Sequence, residues 1–177
     1  ESITHTFLVP PQFGALLETS DVKERNFSSL KAILSAGSPL RLDMKEKILD
    51  VLTEKLFELY GFSEGFATML KPEYQRNKFG TVGTPVLGFE IKILNDSGEE
   101  CDVGQAGEIA GYGAGMMKEY FNEKELTEQL IWRDNRGKTF IKSGDIGKLD
   151  EEGFLTILDR KKDMIISGGL NVFPVDI

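Results

Sequence analysis

The 177-residue chain is 40% hydrophobic and 28% charged, the make-up of a globular protein with room for one ordinary domain, or for one domain and a piece of another. Its net charge of −8, with basic residues interleaved among acids, argues against nucleic-acid binding, which selects clustered Lys and Arg. One Cys and one His rule out an internal disulfide and speak against a His/Cys zinc site. No apolar run approaches the ~20 residues that span a bilayer, and no secretory pattern is visible, so a cytoplasmic protein without an integral membrane segment is expected.

In chain order, residues 6–9 read as a strand inside a buried run from Ile3 to Pro10, residues 12–17 as a short helix and residues 30–34 as a second strand. Residues 39–52 carry the best helical pattern. Leu40, Met44, Ile48, Val51 and Leu52 fall on one stripe, with Pro39 near the start. A strand over 56–60 ends at Gly61. Strands alternating with helices predict a parallel α/β sheet. From about residue 79 the texture is β-rich, with strands predicted at 81–83, 89–94, 107–110 and 153–158. Asn95-Asp-Ser-Gly98 predicts a hairpin turn. Residues 123–130 read as a charged helix capped by Asn122. The expected division is an α/β portion over 1–78, a β-rich portion over 79–158 and a terminal stretch over 159–177. The chain opens on Glu1 with a strand under way and stops inside a glycine-containing pattern, so it reads as an excised fragment.

Several constellations can carry chemistry. Tyr60-Gly-Phe-Ser-Glu64 follows a strand of the α/β part, where ligands bind outside the carboxyl ends of strands. It offers an aromatic face, a hydroxyl and a carboxylate, the parts wanted by a nucleotide with a metal-bound phosphate; an edge Tyr and a helix-capping Ser is the plainer alternative. In Lys142-Ser-Gly-Asp145, placed between strands, the carboxylate either accepts bonds from vicinal hydroxyls or sits in an ordinary β-turn. Ser35-Ala-Gly-Ser-Pro39 joins a strand to the best helix. Its amides face an anion or an adenine edge, or Ser38 merely caps the helix with Pro39 in its first turn. Gly111-Tyr-Gly-Ala-Gly115 lacks the dinucleotide spacing, and its glycines read as backbone bends. His5 reads as a core or sheet-surface residue, Met116, Met117 and the Phe residues as core. No Gly-x-Ser-x-Gly elbow is present.

The joint order of these motifs is more specific than any one. Ser-Ala-Gly-Ser-Pro-Leu40 precedes Tyr-Gly-Phe-Ser-Glu64. Then come Gly107-Glu-Ile with Tyr120, Trp132 and Ser143-Gly-Asp145. Last is Asp159-Arg-Lys-Lys-Asp-Met-Ile-Ile-Ser-Gly-Gly-Leu-Asn-Val-Phe-Pro174. From about Thr4 to Ile177 the chain resembles the adenylate-forming superfamily, which includes acyl-CoA synthetases, luciferase-like enzymes and amino-acid-adenylating domains.

The resemblance implies part of a large domain: a partial α/β layer, a β-rich, barrel-like subdomain, and a hinge leading into a second domain. It implies activation of a carboxylic acid, a fatty acid first, by ATP and Mg²⁺, with coenzyme A as acyl acceptor. Carried over by position, Tyr60 and Gly61 pack against adenine beside Gly37, Ser38 and Pro39. Ser63 meets the phosphates, Glu64 helps hold Mg²⁺, and Asp145 with Arg160 binds the ribose. Lys162 marks the hinge, and Gly168 and Gly169 approach the pantetheine arm. The family's phosphate loop and catalytic lysine are not among these residues, so the chain alone is expected to be inactive. Ser63 and Ser143 stand where the family more often has Thr. Glu119 and Asp159 replace glycines, which puts local backbone geometry at stake. The alternatives are an amino-acid-adenylating or luciferase-like member, or a non-catalytic nucleotide-binding homologue.

Overall fold

The computed structural model describes residues 2–162 and, as backbone, 165–167 and 170–172. It divides into two compact units, Glu1–Tyr60 with Met69–Gly83, and Gly61–Thr68 with Thr84–Ile177.

In the first unit, β1 (His5–Leu8), β2 (Ala32–Ser35) and β3 (Leu56–Phe62) lie side by side and parallel, with Leu8 opposite Ser35 and Ser35 opposite Glu58. In strand order the sheet runs β1-β2-β3-β4-β5, where β4 (Phe66–Leu70) is divided between the two units and β5 (Thr84–Pro85) belongs to the second. Helices α1 (Pro10–Leu17) and α2 (Leu42–Val51) cover one face of the parallel strands. Phe13, Ile33, Ile48, Leu49, Leu52 and Leu56 form the core between them. β1 is an edge strand with one face outside that core. Phe7 is therefore 55% exposed and His5 is exposed as well, where a buried run was expected.

The best-patterned helix starts later than its apolar stripe suggests. Arg41, extended at φ −60° and ψ 145°, is the N-cap, and its side chain pairs with Asp43 at 3.1 Å. Ser38 and Pro39 stay in the preceding loop, so neither caps nor opens α2. The third strand does not end at Gly61 but continues through Phe62. A three-residue turn, Ser63 to Gly65, then leads into β4, so no helix follows for Ser63 to cap.

The second unit holds an antiparallel sheet in the order β10-β9-β7-β6, from β6 (Phe89–Leu94), β7 (Gly107–Gly113), β9 (Thr139–Leu149) and β10 (Leu155–Arg160). The short β8 (Ile131–Arg133) also pairs with β9. Leu94, Ala110 and Phe140 form its core with Tyr112 and Trp132. The Trp132 indole N–H donates to the Gly98 carbonyl at 2.7 Å, which fastens the Asn95–Gly98 turn. Beyond this sheet, β11 (Ile165–Ser167) and β12 (Leu170–Val172) form a separate antiparallel pair.

Several local readings are corrected. Residues 81–83 are not a strand. Glycines 111 and 113 are not bends but strand positions of β7. A Cβ on Gly111 would lie 2.3 Å from the Phe66 ring, so the missing side chain makes room for that aromatic. The charged helix α3 (Lys124–Leu130) has Glu123 as N-cap, while Asn122 takes a left-handed φ of 56° just before it. Met116 and Met117 are half-buried and Phe121 is 88% exposed, so not all of these residues are core. Glu119 and Asp159 have ordinary negative φ; Asn122 is the sole non-glycine with positive φ among the described residues. Losing those two glycines therefore forces no strained backbone.

Candidate functional site

Neighbouring parallel strands send their carboxyl ends to the same edge of a sheet. The loop carrying Gly37, Ser38 and Pro39 leaves β2 at the edge where Tyr60 stands near the end of β3. Gly37 adopts φ +92°, and all three loop residues are exposed. Tyr60 is half-buried.

Gly61 follows in the second unit, where a Cβ would lie 2.4 Å from the Phe66 carbonyl oxygen. This close cross-strand approach sets the turn that carries exposed Ser63 and half-buried Glu64. Glu64 is held at both ends. Its carbonyl accepts from the Met117 N–H at 2.8 Å, and its Oε1 accepts a hydrogen bond from the Tyr120 hydroxyl. That bond, then burial and the carboxylate's charge, pushes the Tyr120 phenol up to about 12. The phenol is thus a neutral donor at any ordinary pH.

Ser143, Gly144 and Asp145 lie inside the 11-residue strand β9, not between strands. The pairing with β7 jumps from Glu108↔Ile146 to Ala110↔Lys142, so the three residues bulge out of the ladder opposite Ile109. Gly144 at φ +73° makes the bulge possible. The Ser143 hydroxyl accepts from the Asp145 N–H at 3.0 Å, and the Gly144 carbonyl accepts from the Lys161 N–H at 2.8 Å. The bulge is thereby a fixed shelf.

Arg160 stands directly opposite Asp145 on β10, with Nε 3.5 Å from the carboxylate. Lys161 pairs with Glu108 at 2.7 Å. Ser143, Gly144, Asp145, Arg160, Lys161 and Lys162 line a cleft of about 380 Å³. Of the predicted residues, Asp145, Arg160 and Lys162 therefore share one cleft, and Lys162 is exposed at the turn following β10. Gly168 and Gly169 lie outside the described residues.

The donor chemistry is compatible with Mg²⁺. Among the described residues no three His, Cys, Asp or Glu side chains converge as a metal cluster. A single carboxylate such as Glu64, with one oxygen engaged by a phenol, suits a cation that keeps waters and takes its other ligands from phosphate. Among the described residues no helix is long and apolar enough to cross a membrane.

Sequence reading missed a buried ion pair. Lys45 of α2 is 1% exposed, and its ammonium lies 2.7 Å from Glu58 of β3 and donates to the Phe79 carbonyl at 2.7 Å. Burial pushes Glu58 up and Lys45 down, and each charge partly restores the other. Glu58 stands two positions before Tyr60 on the same strand.

Comparison with known proteins places these features in a family. Residues 1–121 match the model of the AMP-binding enzyme family. Over 99% of its length the chain is 36% identical to the 2-succinylbenzoate–CoA ligase of Bacillus subtilis, covering 34% of that protein. It is 34% identical to the long-chain-fatty-acid–CoA ligase of Escherichia coli O157:H7, over 93% of this chain and 29% of the ligase. A solved structure of the Bacillus subtilis O-succinylbenzoate coenzyme A synthetase with ATP and magnesium superposes with a TM-score of 0.84 at 35% identity. It covers 99% of this chain and 35% of that one. The chain thus spans about a third of the length of the relatives it matches. The match over most of its residues, with a mixed α/β fold shared nearly end to end, shows that the chain belongs to the AMP-binding enzyme family, within the adenylate-forming superfamily.

Proposed function

We propose that this chain is part of an ATP-dependent acid–thiol ligase that activates a carboxylic acid as acyl-AMP and transfers the acyl group to coenzyme A. It would supply the carboxy-terminal half of the large domain, with an α/β portion over 1–78, a β-rich portion over 79–158 and a hinge region over 159–177. The observation that carries the reading is the bulge in β9, which sets the Asp145 carboxylate beside Arg160 in an open cleft.

A carboxylate has no good leaving group, and adenylation supplies AMP as one. Asp145 accepts hydrogen bonds from the vicinal ribose hydroxyls, and Arg160 steadies that pair. Tyr60 offers its ring to adenine, with Gly61 and the Gly37-Ser38-Pro39 loop shaping the adenine and acyl side. Ser63 donates its hydroxyl to the phosphates, and Glu64 holds the metal. Mg²⁺, when bound, neutralises charge developing on the phosphates. Lys162 serves as the pivot between adenylation and thioester formation, and Gly168 and Gly169 flank the pantetheine arm. The acid is fatty or aryl, in keeping with relatives named for long-chain fatty acids and for 2-succinylbenzoate.

Full-length protein carrying this chain, given ATP, Mg²⁺, coenzyme A and a panel of fatty, aryl and amino acids, is expected to yield AMP and one series of acyl-CoA products. The 177-residue chain by itself is expected to form no acyl-AMP, since it has no phosphate loop or catalytic lysine to assist. Release of ADP in place of AMP, or turnover by the isolated chain, would count against the reading. A product only from amino acids would reassign the branch.

A further inference from the structure

Glu64 sits in a tight turn on a side chain with three rotatable bonds, so its carboxylate has no fixed position unless something ties it. The Tyr120 hydroxyl ties it, by donating to Oε1 from 56 residues further along the chain. Tyr120 is itself anchored. Its N–H donates to the Thr127 hydroxyl at 2.9 Å, that hydroxyl donates to the Glu123 carbonyl at 2.9 Å, and the Glu123 N–H donates to the Tyr120 carbonyl at 3.1 Å. Thr127, on α3, is only 5% exposed. The Met117 N–H holds the Glu64 backbone at the same time.

We propose that Tyr120 is a positioning residue that occupies Oε1 of Glu64 and presents Oε2 alone to the cation carried by a bound nucleotide. The proposal rests on the reading of Glu64 as a metal-holding residue. A phenol suits the task better than Lys or Arg. It orients the carboxylate without adding a positive charge next to a dication. With Oε1 engaged, Glu64 acts through one oxygen, which matches a small octahedral ion that takes its remaining ligands from water and phosphate. Outer partners of this kind are worth roughly 10–100-fold in metal affinity. The ordered motif in which Tyr120 stands thereby gains a physical role.

The test uses full-length protein with Tyr120→Phe, Glu64→Gln and the double variant. Mn²⁺ binding in the presence of ATP is followed by electron paramagnetic resonance, and the Mg²⁺ requirement by pyrophosphate–ATP exchange. Tyr120→Phe is expected to weaken Mn²⁺ binding and raise the Mg²⁺ requirement by roughly tenfold or more, with ATP affinity in the absence of metal little changed. Added to Glu64→Gln it is expected to change nothing further. Unaltered Mn²⁺ affinity in Tyr120→Phe, or an equal loss on the Glu64→Gln background, would overturn the positioning role while leaving the ligase reading intact. No exchange by the unsubstituted enzyme with any acid would overturn the ligase reading, and this proposal with it.

Discussion

Replacing Asp145 by Ala in the full-length protein is expected to lower kcat/KM for ATP by roughly a hundredfold or more, because each hydrogen bond to a charged group contributes about 1.5–3 kcal/mol and two are lost. Stability should fall little. The side chain is 16% exposed, its partner Arg160 is 65% exposed, and their separation is 3.5 Å. An ion pair this loose, with its cation largely in solvent, contributes little to folding. The bulge is held by backbone groups and by Ser143, all of which remain in the variant. A specific signature accompanies the loss. The unsubstituted enzyme should discriminate strongly against 2′-deoxy-ATP, and Asp145→Ala should lose most of that preference, since the missing hydroxyl no longer leaves a carboxylate unpaired. Steady-state kinetics with the two nucleotides, alongside thermal melting, checks both statements. A matching drop in melting temperature would assign Asp145 to the fold.

The second large effect concerns stability. Lys45→Met is expected to destabilise the protein by about 3–5 kcal/mol, since it leaves the buried Glu58 carboxylate without its cation. Lys45→Met combined with Glu58→Leu should recover most of the loss, because a well-packed apolar pair can replace a buried ion pair at little cost. The pH dependence has a definite sign. Burial raises Glu58 above its usual 4.5, so the folded state holds its proton to higher pH than the unfolded chain does. In Lys45→Met the lowering influence of the ammonium is gone as well. The variant should therefore be least impaired at and below the ordinary carboxyl range, and its deficit should grow as pH rises through the elevated Glu58 value. Urea denaturation from pH 4 to pH 8 reads this directly. A deficit independent of pH would mean that lost packing, not a stranded charge, is responsible.

Much of the first unit was legible because its signals are local. Apolar periodicity found β1, β2, β3 and α2, each within a few residues of its bounds. Failures came where glycine has a reason beyond turning the chain. Gly61 looked like a strand end, yet it is the point where β3 passes close to the Phe66 carbonyl. Ser143-Gly-Asp145 looked like a turn, yet β9 runs through it as a bulge whose support comes from Lys161, beyond β10. Lys45 lies off the apolar stripe of its helix, and its burial is made tolerable by Glu58, on a strand. Asn122 had the residue type of a cap but stands one position too early, in a left-handed turn. The candidate site shows the same limit. Motif order pointed to Glu64 and to Tyr120 separately, and no spacing rule joins residues 56 apart. Their hydrogen bond becomes visible only when β4 and α3 are in place.

If a carboxylate oxygen attacks the α-phosphorus of ATP, as formation of acyl-AMP with release of pyrophosphate requires, the reaction leaves an isotopic trace. Full-length protein is supplied with its acid labelled with ¹⁸O at both carboxyl oxygens, together with ATP, Mg²⁺ and coenzyme A, and the nucleotide product is weighed by mass spectrometry. The expected product is AMP carrying one ¹⁸O atom, released with unlabelled pyrophosphate. Unlabelled AMP, or ADP with the label in phosphate, would contradict it.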